Sequence, residues 1–121
     1  MTKTAKFSAA CLLMMAAPMA FACDYPERPT IPDGSTASKE EMITAKNDIT
    51  AWMTGVDDYL TCIETAEKEA VQAMEDADPA DLERRDAMLS KKFDAANEQK
   101  VLLGEEFNQQ VRAYNAARSS D

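Results

Sequence analysis

The sequence predicts an all-α protein: a long antiparallel hairpin of two helices, with an extended proline-rich N-terminal arm packed along it. Three observations predict it. Apolar residues recur every seven positions from Met42 to Ala73, which marks a helix with a buried seam. A second helical pattern begins at Pro79, just after the polar break Asp76-Ala77-Asp78. Pro26, Pro29 and Pro32 stand at every third position ahead of the first helix, and proline fixes φ and removes a donor, which favours an extended chain.

Residues 1–22 read as a signal peptide. Lys3 and Lys6 give a positive start, an apolar run extends from Phe7 to Met19, and Ala20-Phe21-Ala22 ends it with small residues at the outer positions. The apolar run is shorter than the roughly 20 residues of a membrane span, and no later stretch is a candidate. Cleavage after Ala22 starts the mature chain at Cys23 and sends it to the periplasm or out of the cell. Cys11 leaves with the leader, so Cys23 and Cys62 remain. An even count in an exported chain reads as one disulfide. A cysteine directly after a signal region is also the lipidation position of bacterial lipoproteins, although Phe21 departs from the small residue usual at that place. A lipid anchor on Cys23, and with it membrane contact, remains an alternative.

Residues 23–37 form the arm, and Asp33-Gly34 marks a turn near its end. Residues 38–76 form the first helix. Ser38 with Glu41 makes a capping box. Met42, Ile49, Val56, Ile63 and Ala70 give one column of the seam, and Ala45, Trp52, Tyr59, Ala66 and Ala73 the other. Met53, Leu60 and Met74 widen it, as expected for a helix with more than one neighbour. Residues 77–118 form the turn and the second helix, which runs from Pro79 to Arg118. Asp78 is a good N-cap, Pro79 takes the favoured first helical position, and Asp81 adds negative charge to the first turn. The expected core face is Leu82, Leu89, Phe93, Ala96, Leu103, Phe107, Val111 and Tyr114, interrupted by Asp86 and Lys100. Residues 119–121 are expected to be a disordered tail.

A short link makes the helices antiparallel neighbours. With the turn near residues 77–79, Trp52 faces Leu103 and Phe107, and Gly55 comes near Gly104. Those glycines either permit a close helix crossing or are incidental. Cys62 lies about 36 Å along the first helix from Ser38 at 1.5 Å per residue, and the arm can span up to about 50 Å. The arm can therefore fold back in the groove between the helices and reach Cys62, with Tyr25 and Ile31 as its apolar contacts. Closing that loop should stabilise the fold by roughly 4 kcal/mol in the chain-entropy treatment. Such a staple is expected where two helices alone enclose a small core.

Composition excludes several functions. The 121-residue chain has no His, which removes a His-based triad, a haem His ligand and the common zinc sites. Its net charge is −9 and its pI about 4.5, against the basic face that nucleic acid requires. Three Gly leave no phosphate-binding glycine loop. The acidic excess lies on the first helix: residues 38–76 hold ten acids and three bases, densest around Asp57, Asp58, Glu64, Glu67 and Glu69. This is either a solvated face or one that attracts cations or a basic partner. The turn acids Glu75, Asp76, Asp78 and Asp81 lack the calcium-loop pattern, and capping explains two of them. Met42, Met53, Met74 and Met88 are spaced for packing, not clustered for copper(I). Arg84-Arg85 and Lys91-Lys92 stack on one face of the second helix and either pair with acids or stay solvated. The carboxylates are helix-surface groups with no pocket in prospect to retune them. No metal, no cofactor and no enzymatic activity are expected.

The stretch from Cys23 through Pro26, Pro29 and Ile31-Pro32-Asp33-Gly34 into Ser38-Lys39-Glu40-Glu41-Met42, followed by Tyr59-Leu60 and Cys62, resembles small secreted bacterial proteins of unassigned function. The resemblance implies export and a similar arm, and no activity. Periplasmic stress chaperones and adaptors are also helical hairpins, but their Leu-Thr-x-x-Gln motif does not occur here. The expected role is a non-enzymatic protein-interaction or self-associating module, with Met53, Leu60, Met74, Met88 and Leu102 as the candidate interaction face, possible either as a homodimer or with another protein unless the arm covers them. A periplasmic binding module for cations or small cationic ligands is the alternative drawn from the acidic helix.

Overall fold

The computed structural model describes residues 23–120; the expected signal peptide, residues 1–22, lies outside them. Two helices, α1 (Lys39–Gln72) and α2 (Pro79–Ser119), follow an extended arm that ends in a turn over residues 34–36. They form the all-α hairpin that the seven-residue pattern calls for, and no strand occurs among the described residues.

Local chemistry explains both starts. Ser38 Oγ accepts the Glu41 N–H (3.1 Å) and the Glu41 carboxylate accepts the Ser38 N–H (2.6 Å), so two of the free donors at this helix end are satisfied reciprocally. Those bonds hold the Glu41 carboxyl below its ordinary value of 4.5. At α2, the Asp78 side chain accepts the Ala80 N–H (3.1 Å) and Pro79 opens the helix. Asp81 pairs with Arg84 one turn on.

Two ends differ from expectation. α1 stops at Gln72, four residues before residue 76. Its last turn has no basic residue, and Glu69, Glu75 and Asp76 crowd negative charge where the helix dipole disfavours it. The Met74 N–H already bonds the Val71 carbonyl (3.1 Å), a tightened exit, and Asp78 before Pro79 is steered out of the helical region. α2 continues to Ser119, so residue 119 is helix and not tail. Ser119 and Ser120 hydroxyls donate back to the Ala116 carbonyl (3.1 and 3.0 Å).

The core is lopsided along the hairpin. Ile49, Trp52, Val56 and Leu60 of α1 pack with Ala96 and Leu103 of α2, and Ile31, Met53, Tyr59, Ile63, Phe93 and Phe107 close around them. Val56 and Leu103 have no exposed surface. Trp52, Leu103 and Phe107 thus share one cluster, as the antiparallel register requires. Past Leu60 in α1, and before Ala96 in α2, no side chain is buried. The seam cation of α2, Lys100, bonds Asp57 across the helix pair at 2.6 Å, which accommodates a charge at a seam position.

Candidate interaction site

The arm lies in the groove between the helices, and its contacts run in order along both. Its edge follows the three-residue turn of a polyproline helix: Cys23, Pro26, Pro29 and Pro32 are half-buried, while Asp24, Glu27, Arg28 and Thr30 are exposed. At the C-terminal end, Asp33 builds the turn: its carboxylate accepts the Ser35 N–H (2.9 Å) and hydroxyl (2.6 Å), which lowers its pKa. The turn brings Gly34 against α2, where its N–H donates to Gln110 Oε1 at 2.9 Å. Arg118 donates to the Ala37 carbonyl (2.7 Å) and lies over the Tyr114 ring (3.5 Å to its centre). Arg28 pairs with Glu106 at 2.6 Å.

Towards its N-terminus the arm meets α1. Trp52 Nε1 donates to the Pro26 carbonyl (3.2 Å), which satisfies a buried indole. Tyr25 meets Trp52 and Tyr59 edge-on, with ring centres 6.3 and 5.0 Å apart. Burial first, and then Tyr59, raise the Tyr25 pKa, with Lys100 opposing. Cys23 and Cys62 form a disulfide, with Cα atoms 5.7 Å apart. The expected arm, its contacts Tyr25 and Ile31, and its anchor at Cys62 are all in place.

Gly55 and Gly104 do not mark a common crossing. A methyl group on Gly55 would come within 3.2–3.3 Å of the Pro26 ring, and one on Gly104 would meet the Met53 methyl at 3.9 Å. Gly55 makes room for the arm, a third neighbour that a two-helix register cannot reveal.

Among the described residues, the arm covers only part of the groove. Beyond Tyr25, the same groove continues towards the turn as two adjoining open clefts. The first, about 380 Å³, is lined by Tyr25, Tyr59, Lys92, Ala95, Ala96 and Gln99. The second, about 130 Å³, is lined by Ile63, Glu67, Arg85, Met88, Leu89 and Lys92. Lys92 belongs to both. At the far end, the Arg85 guanidinium makes two bonds to the Glu67 carboxylate (2.6 and 3.0 Å), which tie α2 to α1.

The five residues of the expected interaction face do not form one surface. Leu60 is 6% exposed and belongs to the core, so it is unavailable to a partner; the widened seam of α1 serves the arm and α2 together. Met53 is half-buried at the core edge. Met74 lies in the turn after α1, 38% exposed. Met88 (56%) and Leu102 (45%) are exposed on α2, and of these Met88 lines the open groove. The stripe through Met88 and Ala95 therefore borders the groove, joined by Ile63, Leu89 and the two tyrosines.

Among the described residues, no three His, Cys, Asp or Glu side chains gather in a metal-holding arrangement, and no helix is long and apolar enough to cross a membrane. Comparison of the chain with family models, curated proteins and solved structures yields no match.

Proposed function

We propose that this protein is an exported, non-enzymatic interaction module that docks another protein along the open part of its interhelical groove. The observation that carries the reading is the unequal cover of one groove. Its lower part is filled by the arm and backed by a buried core. Its upper part is lined by exposed Met88 and Tyr25 and by half-buried Ile63, Leu89 and Tyr59. Exposed apolar side chains gathered beside polar ones mark interaction surfaces in soluble proteins. Export is supported by the leader-like residues 1–22 and by a disulfide, which persists in oxidising compartments. The same disulfide bears on the lipid-anchor alternative, because a lipid thioether would need the sulfur that Cys23 shares with Cys62. The cation-binding alternative loses ground to pairing: Asp57 and Glu67, within the densest acidic stretch, are already matched by Lys100 and Arg85.

The test uses the exported chain, with a photoactivatable residue placed at Met88, at Ile63 or, as a control, at the exposed Thr54. The reading expects protein adducts of one size from positions 63 and 88 and none from 54. Absence of adducts from 63 and 88, with a single-copy sedimentation rate at every concentration, would dismiss it. Intact mass before and after reduction tests export: a chain starting at Cys23, lighter by two thiol hydrogens until reduced, is expected. Acyl mass on Cys23 would make it a lipoprotein instead.

A further inference from the structure

We infer that the open part of the groove takes an extended, proline-containing segment of a partner protein, with a carboxylate of that segment against Lys92. The inference rests on the interaction reading above and specifies the partner's chemistry. The arm supplies the template. It contacts α1 through Trp52, Gly55 and Tyr59, and α2 through Gln110 and Glu106. Continuing along the same helix faces, by three or four residues from Tyr59 on α1 and by seven from Glu106 on α2, leads to Ile63 and Glu67 on α1, and to Gln99, Ala95, Lys92 and Met88 on α2. These are the residues that line the two open clefts. The open groove is thus a direct continuation of a surface already shaped to an extended chain with apolar residues at every third place.

Length and charge define the occupant further. From Arg85 to Gln99 the groove runs about 21 Å at 1.5 Å per residue, room for roughly seven residues of polyproline helix at 3.1 Å each. Such a segment is already extended when free, so little ordering entropy is lost on docking. Glu67 and Arg85 neutralise one another at the far end, whereas Lys92 has no ion-pair partner among the described residues. On a chain of net charge −9, the centre of this groove thus carries an exposed cation that no carboxylate of the described residues neutralises. A single carboxylate fits it; a run of acids would meet the repulsion of the whole molecule.

The test titrates the disulfide-bonded chain, starting at Cys23, into a fluorescently labelled proline-rich peptide of roughly twelve residues, with leucine at every third place and one central glutamate. A second peptide carries lysine in place of the glutamate. Saturable binding that favours the glutamate peptide is expected. Lys92→Glu should weaken that peptide at least about fivefold and reverse the preference, and Met88→Glu should weaken both. Both sites are exposed, so the variants should fold. No saturable binding of either peptide up to about 1 mM would overturn the inference, as would binding indifferent to both substitutions. Sedimentation that rises with concentration and is abolished by Met88→Glu would overturn it in favour of a second copy. Adducts from position 88 without peptide binding would remove this inference and leave the interaction reading intact.

Discussion

Gly34 is held by closeness, not by backbone conformation. No residue has a positive φ among the described residues, so glycine is not needed for a left-handed turn. A methyl group there would come within 2.7 Å of the Gln110 carbonyl carbon and 3.0 Å of the Tyr114 nitrogen. Those are backbone atoms of α2 and cannot swing aside. Gly34→Ala should push the turn off α2, break the Gln110 bond and lower stability by about 1–3 kcal/mol, the usual scale for overpacking; thermal melting checks it. A second prediction concerns acid. Asp33 and Glu41 both have lowered pKa values in the folded chain because they accept hydrogen bonds. The unfolded chain therefore takes up protons first as pH falls. Stability from these groups is full above their ordinary values of 3.8 and 4.5 and is lost as pH drops through the lower folded values. Denaturant melts across the acid range should show that decline, and Glu41→Gln should flatten the part due to the cap. An acid limb unchanged by Glu41→Gln would contradict this assignment.

At the scale of elements, the two helices and the arm were legible in the sequence because their signals are local. A capping box, an Asp-Pro start, a seven-residue seam and a three-residue proline spacing each lie within a few turns of chain. The docking of the arm on α2 was not. Gly34 bonds Gln110 and Arg118 bonds Ala37 across separations of 76 and 81 residues, and no neighbouring residue announces such a partner. Gly34 carried only the signal of a turn. Gly55 stands out in the sequence, but a pairing of two helices offers only Gly104 opposite it and leaves no place for the arm as a third neighbour. The early end of α1 was hidden because the apolar period runs on through Ala73 while the charges around it oppose a longer helix. The disulfide was legible from cysteine count and reach. Cys62→Ser should lower stability by about 2–5 kcal/mol and free the arm's first residues, leaving Pro29 to Ala37 held by Ile31, Gly34 and Arg118. A melting temperature unchanged by Cys62→Ser would show that the arm is held without its staple.

For the whole molecule, the arm divides one hairpin into two unequal parts. The part carrying the arm has three elements around a buried cluster; the part near the turn has two helices with no buried side chain, tied by the Glu67–Arg85 pair. Half-buried ion pairs add little on their own, so cohesion should fall from the arm end to the turn end. Regions with few buried apolar contacts open with lower free energy, and that suits the docking role proposed for this surface. This is also why the candidate site was only partly legible. Met88 and its stripe stand out by spacing, but which of the apolar flanks residues 23–37 cover depends on where the arm is anchored, at the disulfide between Cys23 and Cys62.

The division is tested most directly by amide hydrogen exchange of the disulfide-bonded chain, resolved along both helices. Slow exchange is predicted for residues 42–60 and 96–114, and faster exchange for residues 63–93, with reduction of the disulfide speeding exchange around Trp52 to Tyr59 far more than around Arg85 to Lys92. Equal protection along the hairpin, or a reduced chain that exchanges like the oxidised one, would contradict a groove closed by the arm at one end and open at the other.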